Sequence, residues 1–271
     1  MDVLYDRTVT CLVCKQTYTT KKVRSRFIRP VQHDTDFCSY YASEEANPLL
    51  YYVHVCPHCG FAATEEFSTY FPPQTLETIQ QNICANWRGK NYGRARTFAD
   101  AVDTYKLGIY SATLKKEKHI ALAGLYMRLA WLHRSKQQHE EEQRFMRLAL
   151  EQYIASYETD AFIHTHMSEV RLLYLIGELY RRLGKEKQAI IYFSRVIARK
   201  KKQLKKESST WLTTVGKKFV KKKRGHNSPL KHWIFLNICI NSFDKLIRIF
   251  CCDNIPIYHR KQRIGTFPTI P

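Results

Sequence analysis

The sequence predicts an α+β fold that is mostly α, with a small β module placed ahead of a longer stack of paired helices. Three observations carry this. Two Cys-x-x-Cys pairs, Cys11/Cys14 and Cys56/Cys59, lie among stretches rich in β-formers. From Leu76 onward, apolar residues recur every three or four positions, the period of a helix buried along one face. Near residue 203 the composition turns abruptly lysine-rich. These shifts divide the chain into residues 1–72, 73–203 and 204–271.

The cysteine pairs come first. Two intervening residues let both sulfurs of a pair turn toward one ion, and Gly60 suits a position that often needs positive φ. Four thiolates complete a tetrahedron around Zn²⁺ and leave no position for water or substrate. Cys11, Cys14, Cys56 and Cys59 are therefore expected to hold one structural, non-catalytic zinc ion. Val9 and Tyr18 flank the first pair, and a β-leaning stretch over Leu49–Val55 leads into the second. On that stretch Tyr51, Val53 and Val55 would share one face, and Tyr52 and His54 the other. A small antiparallel sheet clamped by the ion is the simplest picture. His33, His54 and His58 read as bystanders, His58 because it sits inside the knuckle turn and points away from the ion. Cys38 is open between a buried small residue and a substitute ligand.

The runs Asp34-Thr-Asp-Phe-Cys-Ser-Tyr-Tyr41 and Asn47-Pro-Leu-Leu-Tyr-Tyr-Val-His-Val-Cys-Pro-His-Cys-Gly-Phe-Ala62 resemble the Firmicutes-type bacterial family catalogued as domain of unknown function 2225. The resemblance covers about residues 5–200. It implies a zinc-ribbon-like N-terminal module followed by tetratricopeptide-like helices, and no assigned activity.

In the helical part, Leu76, Ile79, Ile83 and Trp87 form one stripe and Phe98, Val102, Tyr105, Ile109 and Ala112 another, with a break at Asn91-Tyr-Gly93. Further helices read over 118–135, 139–157, 166–183 and 186–202. In the last two, Gly177, Tyr180, Leu183, Gly184, Ala189 and Phe193 fall at tetratricopeptide spacings. Gly177 and Ala189 would be small where the helices approach, and Gly184 would turn the chain. Such stacks present a concave surface to a partner protein. Candidate residues there are Arg128, Arg134, Lys136, Arg171, Arg181 and Arg182, set against the plain alternative of solubilising charge. No His-Glu-x-x-His helix, phosphate loop or nucleophile elbow is present. His164 and His166 read as a helix start, and Glu140–Glu142 as a solvated face.

The net charge is +20, and residues 199–271 hold 18 Lys/Arg against 3 Asp/Glu. Lys200, Lys201 and Lys202, then Lys221, Lys222, Lys223 and Arg224, are clusters suited to the phosphates of nucleic acid or lipid. Trp233, Leu236, Ile240, Phe243, Ile247 and Phe250 follow a helical stripe, expected to cap the stack in preference to lying on a membrane. A translated frameshift, leaving 204–271 without evolved order, is the other reading of this tail. The first residues lack both a basic start and an apolar stretch. With nine cysteines this points to reduced thiols and a cytoplasmic protein.

The expectation is therefore a non-enzymatic zinc protein whose helices serve as a protein–protein interaction scaffold. Nucleic-acid binding through the knuckles and basic tail is the alternative, and an enzyme of unknown class comes third. A membrane partner is disfavoured, and no small-molecule substrate is evident.

Overall fold

The first cysteine pair sits at the end of a β-hairpin. Strands β1 (Leu4–Thr10) and β2 (Thr17–Val23) are antiparallel, in register from Leu4↔Val23 to Thr10↔Thr17. The alternation expected of a half-buried strand puts Tyr18 and Thr20 inward, and Val23, of opposite parity, is buried at the end of β2. The computed structural model describes residues 2–159, 162–163 and 165–202.

A second hairpin, β3 (Pro30–His33) with β4 (Ser39–Tyr41), carries a five-residue tip. The tip is closed by Asp34 N–H donating to the Cys38 carbonyl at 2.8 Å and by Phe37 N–H donating to that of Asp34 at 2.9 Å. Phe37 takes a φ of 68°.

The strand expected over Leu49–Val55 is a correction. Residues Pro48–Tyr51 form a 3₁₀ turn, and only His54–Val55 (β5) pairs, with Ala62–Ala63 (β6). The local chemistry explains this. Asn47 Oδ1 accepts the Leu49 N–H at 3.0 Å and Pro48 pre-sets a helical φ, so the segment opens as a helix start. The expected inward face survives, with Tyr51, Val53 and Val55 buried. Tyr52 and His54, expected outside, are half-covered.

The helices are α1 (Thr75–Asn82), α2 (Phe98–Lys115), α3 (His119–Ser135), α4 (His139–Glu158), α5 (Glu169–Arg182) and α6, a helix over 186–202. α1 is shorter than its apolar stripe. After it the chain turns through 3₁₀ residues Cys84–Asn86, which leaves Leu76 38% exposed and puts Trp87 outside any helix. α2 starts on a reciprocal Thr97/Asp100 capping box, and Ser168 caps α5 by accepting the Arg171 N–H. Gly184, at φ +73°, turns the chain from α5 to α6. A Cβ on Gly177 would lie 2.9 Å from the Phe193 ring, so this glycine lets the two helices approach as its spacing predicts.

One apolar core runs from Cys11, Tyr18, Val53 and Phe61 through Tyr105 and Leu129 to Leu172 and Leu179. The division near residue 72 thus marks a change of secondary structure within continuous packing. α2 is the wall common to both parts. Its Gly108 faces Val53, its Ser111 Oγ accepts the Ala62 N–H at 3.2 Å, and the buried Tyr105 donates to the Leu49 carbonyl at 3.0 Å. Just before α2, the buried Arg96 donates to the carbonyls of Leu50 (3.0 Å) and Val53 (2.6 Å), satisfying backbone that the short 3₁₀ turn leaves unpaired. Burial holds its guanidinium down to about 10, still charged at neutral pH.

Candidate metal centre

The two knuckles are built alike. In the first, Cys11 N–H donates to Gln16 O at 2.9 Å and Lys15 N–H to Cys11 O at 3.1 Å. In the second, Cys56 N–H donates to Phe61 O at 3.0 Å and Gly60 N–H to Cys56 O at 2.9 Å. The fourth residue after each leading cysteine is left-handed, Lys15 at φ 61° and Gly60 at φ 74°. Lysine tolerates this in the open knuckle, where its ammonium caps the Leu12 carbonyl at 2.8 Å. Glycine is needed in the second because a Cβ there would stand 2.5 Å from the Trp87 ring.

β1 and β2 present the first knuckle, and β5 and β6 the second. The four sulfurs lie within 4.8 Å of one another. Cys11–Cys59 and Cys14–Cys56 are each 3.6 Å apart. Tetrahedral coordination with metal–sulfur bonds of about 2.3 Å requires sulfur–sulfur edges of about 3.8 Å, so the set fits a single ion. Val13 N–H points at Cys11 Sγ at 3.4 Å, an amide positioned to spread thiolate charge. Hydrogen bonding with Cys59, then burial, pushes the Cys11 thiol well above the usual thiol range, and burial pushes Cys56 up to about 11. Thiols crowded in this way resist ionisation until a cation balances them, which a divalent metal would do. These four cysteines could hold a metal ion.

Two residues around the site escaped the sequence reading. Trp87 lies over the second knuckle and donates from Nε1 to the Pro57 carbonyl at 2.8 Å. Cys84, half-exposed, sits outside the four-sulfur cluster. Neither has a ligand-like spacing from the pairs. The signal was only that the Leu76–Trp87 stripe ends in residues that α1 does not bury.

The other histidines and Cys38 are accounted for. His58 is exposed. His33 bonds Ser39 Oγ at 2.9 Å. His54 Nδ1 meets the Tyr18 hydroxyl at 2.7 Å, and burial, then Arg7 and Arg96, hold its imidazole down to about 4, hence neutral. Cys38 is buried and takes no part in the cluster.

The candidate groove residues are engaged within the chain. Arg134, expected on an open surface, is almost buried. It pairs with Asp34 at 2.8 Å, with Asp36 at 2.7 Å and with Glu142 at 2.6 Å. Arg182 reaches Glu178 at 3.0 Å and Asp34 at 3.4 Å, and Arg181 reaches Glu178 at 2.7 Å. Arg171 lies over the Phe37 ring at 4.7 Å and Arg128 over that of Tyr52 at 3.9 Å. Lys136 pairs with Glu44 at the surface. The partner that spacing alone did not supply is the Asp34–Cys38 tip, which comes from the N-terminal part.

Lys201 and Lys202 are exposed at the end of α6, and Lys200 is half-covered. The expectations for Lys221, Lys222, Lys223, Arg224 and the Trp233–Phe250 stripe lie outside the described residues, as does His164. Among the described residues no helix is long and apolar enough to cross a membrane.

A family model described as "Uncharacterized protein conserved in bacteria (DUF2225)" matches residues 4–210. No curated protein and no solved structure matches the chain.

Proposed function

This chain belongs to that uncharacterised bacterial family, and from this premise we propose that it is a non-enzymatic zinc protein whose tetratricopeptide-like hairpins bind a partner protein. Zinc is the ion of choice because four thiolates in a closed tetrahedron suit a borderline-soft cation without redox chemistry. A site with all four positions filled by protein has no vertex at which to activate water, so the ion serves folding. The observation that carries the scaffold reading is the seating of Asp34–Cys38 on α3 and α5, through its side chains and its backbone. Helical hairpins that hold one short turn in this way have the chemistry to hold another segment.

The alternative, a nucleic-acid partner, is favoured by the lysine run ending α6 and its continuation in sequence. One pulldown with mass spectrometry separates the two, using full-length protein and a 1–203 truncation. The scaffold should retain a defined protein at high salt after nuclease treatment, with both forms. Nucleic acid alone on the full-length form, and nothing on the truncation, would overturn it. Metal analysis of freshly purified protein should give one equivalent of zinc, and well under one would remove the zinc assignment.

A further inference from the structure

The groove between α3 and α5 has the chemistry of a receptor for an acidic turn, and one such turn, the tip of the β3–β4 hairpin, lies in it. Three features of the tip are read by separate side chains. Its acids are read by Arg134, which donates to Asp34 at 2.8 Å and to both Asp36 oxygens at 3.0 and 2.7 Å, and by Trp131 Nε1, which donates to Asp36 at 3.1 Å. Its backbone is read by the Tyr174 hydroxyl, which donates to the Thr35 carbonyl at 2.9 Å. Its aromatic ring, Phe37, stands 5.5 Å from the Tyr174 ring and under Arg171. A carboxylate clamp, a main-chain hydrogen bond and an aromatic contact are the elements of sequence-selective peptide recognition.

Part of the negative charge facing these helices comes from the tip. The groove sets the poorly exposed Arg134 and Arg182 against Glu142 and Glu178, and Asp34 and Asp36 of the tip pair with both arginines as well. Leaving such arginines desolvated and unpaired is costly. An occupant that replaces the tip must therefore bring carboxylates of its own. Within the hairpin every residue of β3 is exposed, β4 is half-buried, and burial is concentrated at Asp36 and Cys38 of the tip. Beside the buried Cys38 and the packed Phe37 ring, its attachment rests on polar tip contacts that water can replace on release.

We propose that this groove is a binding site for a partner segment with two acids one residue apart followed by an aromatic residue, and that Asp34–Cys38 occupies it in cis until such a segment displaces it. This rests on the reading of the helices as a protein-binding scaffold and names the chemistry of that partner. The tethered tip competes at an effective concentration of roughly millimolar. A peptide in trans should therefore bind the wild-type protein weakly, and bind more tightly once the tip is loosened.

The test uses zinc-loaded, full-length protein and a fluorescent peptide copying residues 30–41 with serine for the cysteine. Asp36→Asn should bind this peptide about tenfold or more tightly than wild type, and a peptide with both acids changed to asparagine should lose the gain. In wild type, saturating peptide should raise amide hydrogen exchange across residues 30–41. If Asp36→Asn keeps its zinc and helix content yet binds no better than wild type, the tip is a permanent part of the fold and the proposal is wrong. Should that variant fail to fold, Phe37→Ala takes its place in the same comparison, and unchanged exchange over 30–41 in wild type is equally decisive against displacement. Capture of one partner by wild type and Asp36→Asn alike would sink this proposal and leave the scaffold reading standing. Peptide displacement with no protein captured by either would do the reverse.

Discussion

Residues far apart in sequence are joined at two places in this molecule by opposite means. At the cysteine cluster, two short hairpins converge on four sulfurs whose spacing suits one ion. At the hairpin tip, Asp34 and Asp36 meet Arg134 and Arg182 through many charge-assisted contacts on different helices. With the proposed ion bound, the first junction would be all-or-none, because losing one ligand would leave that ion without its tetrahedron. The second is divisible, because each contact contributes separately and water can stand in for several. Difference in divisibility is what makes one junction suited to holding the fold and the other to exchange.

The largest expected effect would come from breaking the first junction. On the proposed zinc assignment, Cys56→Ser, or chelation, should unfold the cysteine module, since structural zinc sites contribute on the order of 10 kcal/mol. The check is loss of amide protection over β1, β2, β5 and β6, and a normal exchange pattern there would break the contrast. Gly60→Ala tests the same junction more gently. It forces a side chain into a left-handed φ and against Trp87, and should cost about 1–3 kcal/mol in zinc-loaded protein. Denaturant titration measures this, and quenching changes at Trp87 would locate it.

The second junction should respond by degrees. Asp36→Asn keeps the shape but removes a buried charge facing Arg134, for an expected loss of about 2 kcal/mol by urea titration at neutral pH. Burial alone would raise the Asp36 carboxyl, but the hydrogen bonds and charge of Arg134 outweigh it and hold it below 3.8. The native state therefore takes up this proton less readily than the unfolded chain, so the stabilisation is full above about pH 4 and fades as pH falls further. The gap between wild type and Asp36→Asn should narrow only in that acid range. A gap that closes already near pH 6 would point to another group. The smallest effect is expected of Lys136→Ala, which removes a surface ion pair with Glu44 and should shift stability by no more than about 0.5 kcal/mol. A larger loss would mean that the divisible junction extends to the surface.

Several features were legible in the residues themselves. The cysteine spacings point to one shared site because ligand geometry is local to each knuckle. The β-formers Val9 and Tyr18 do lie in strands, the helices from 98 onward follow their apolar periods, and Gly177 and Gly184 stand where helix contact and a turn require them. Other features were misread for local reasons. Asn47-Pro48 overrode the β-leaning run that follows, and the Leu76–Trp87 stripe continued past the end of α1 because Trp87 is half-covered by a knuckle that the helix does not contain.

Arg134 marks the limit of such reading. Nothing in its neighbourhood on α3 distinguishes it from Arg128 or Lys136, and its partners Asp34 and Asp36 lie about a hundred residues earlier. The sequence by itself determined the donor set of the metal site, the helical character of most of the chain and the residues that turn and cap it, because these follow from short-range geometry and periodic burial. Only the tertiary structure decided that the acidic tip lies on the arginines of α3 and α5, and that Trp87 covers the second knuckle. Pairing of charges across such distances depends on where packing brings the backbone, and no period in the sequence records that.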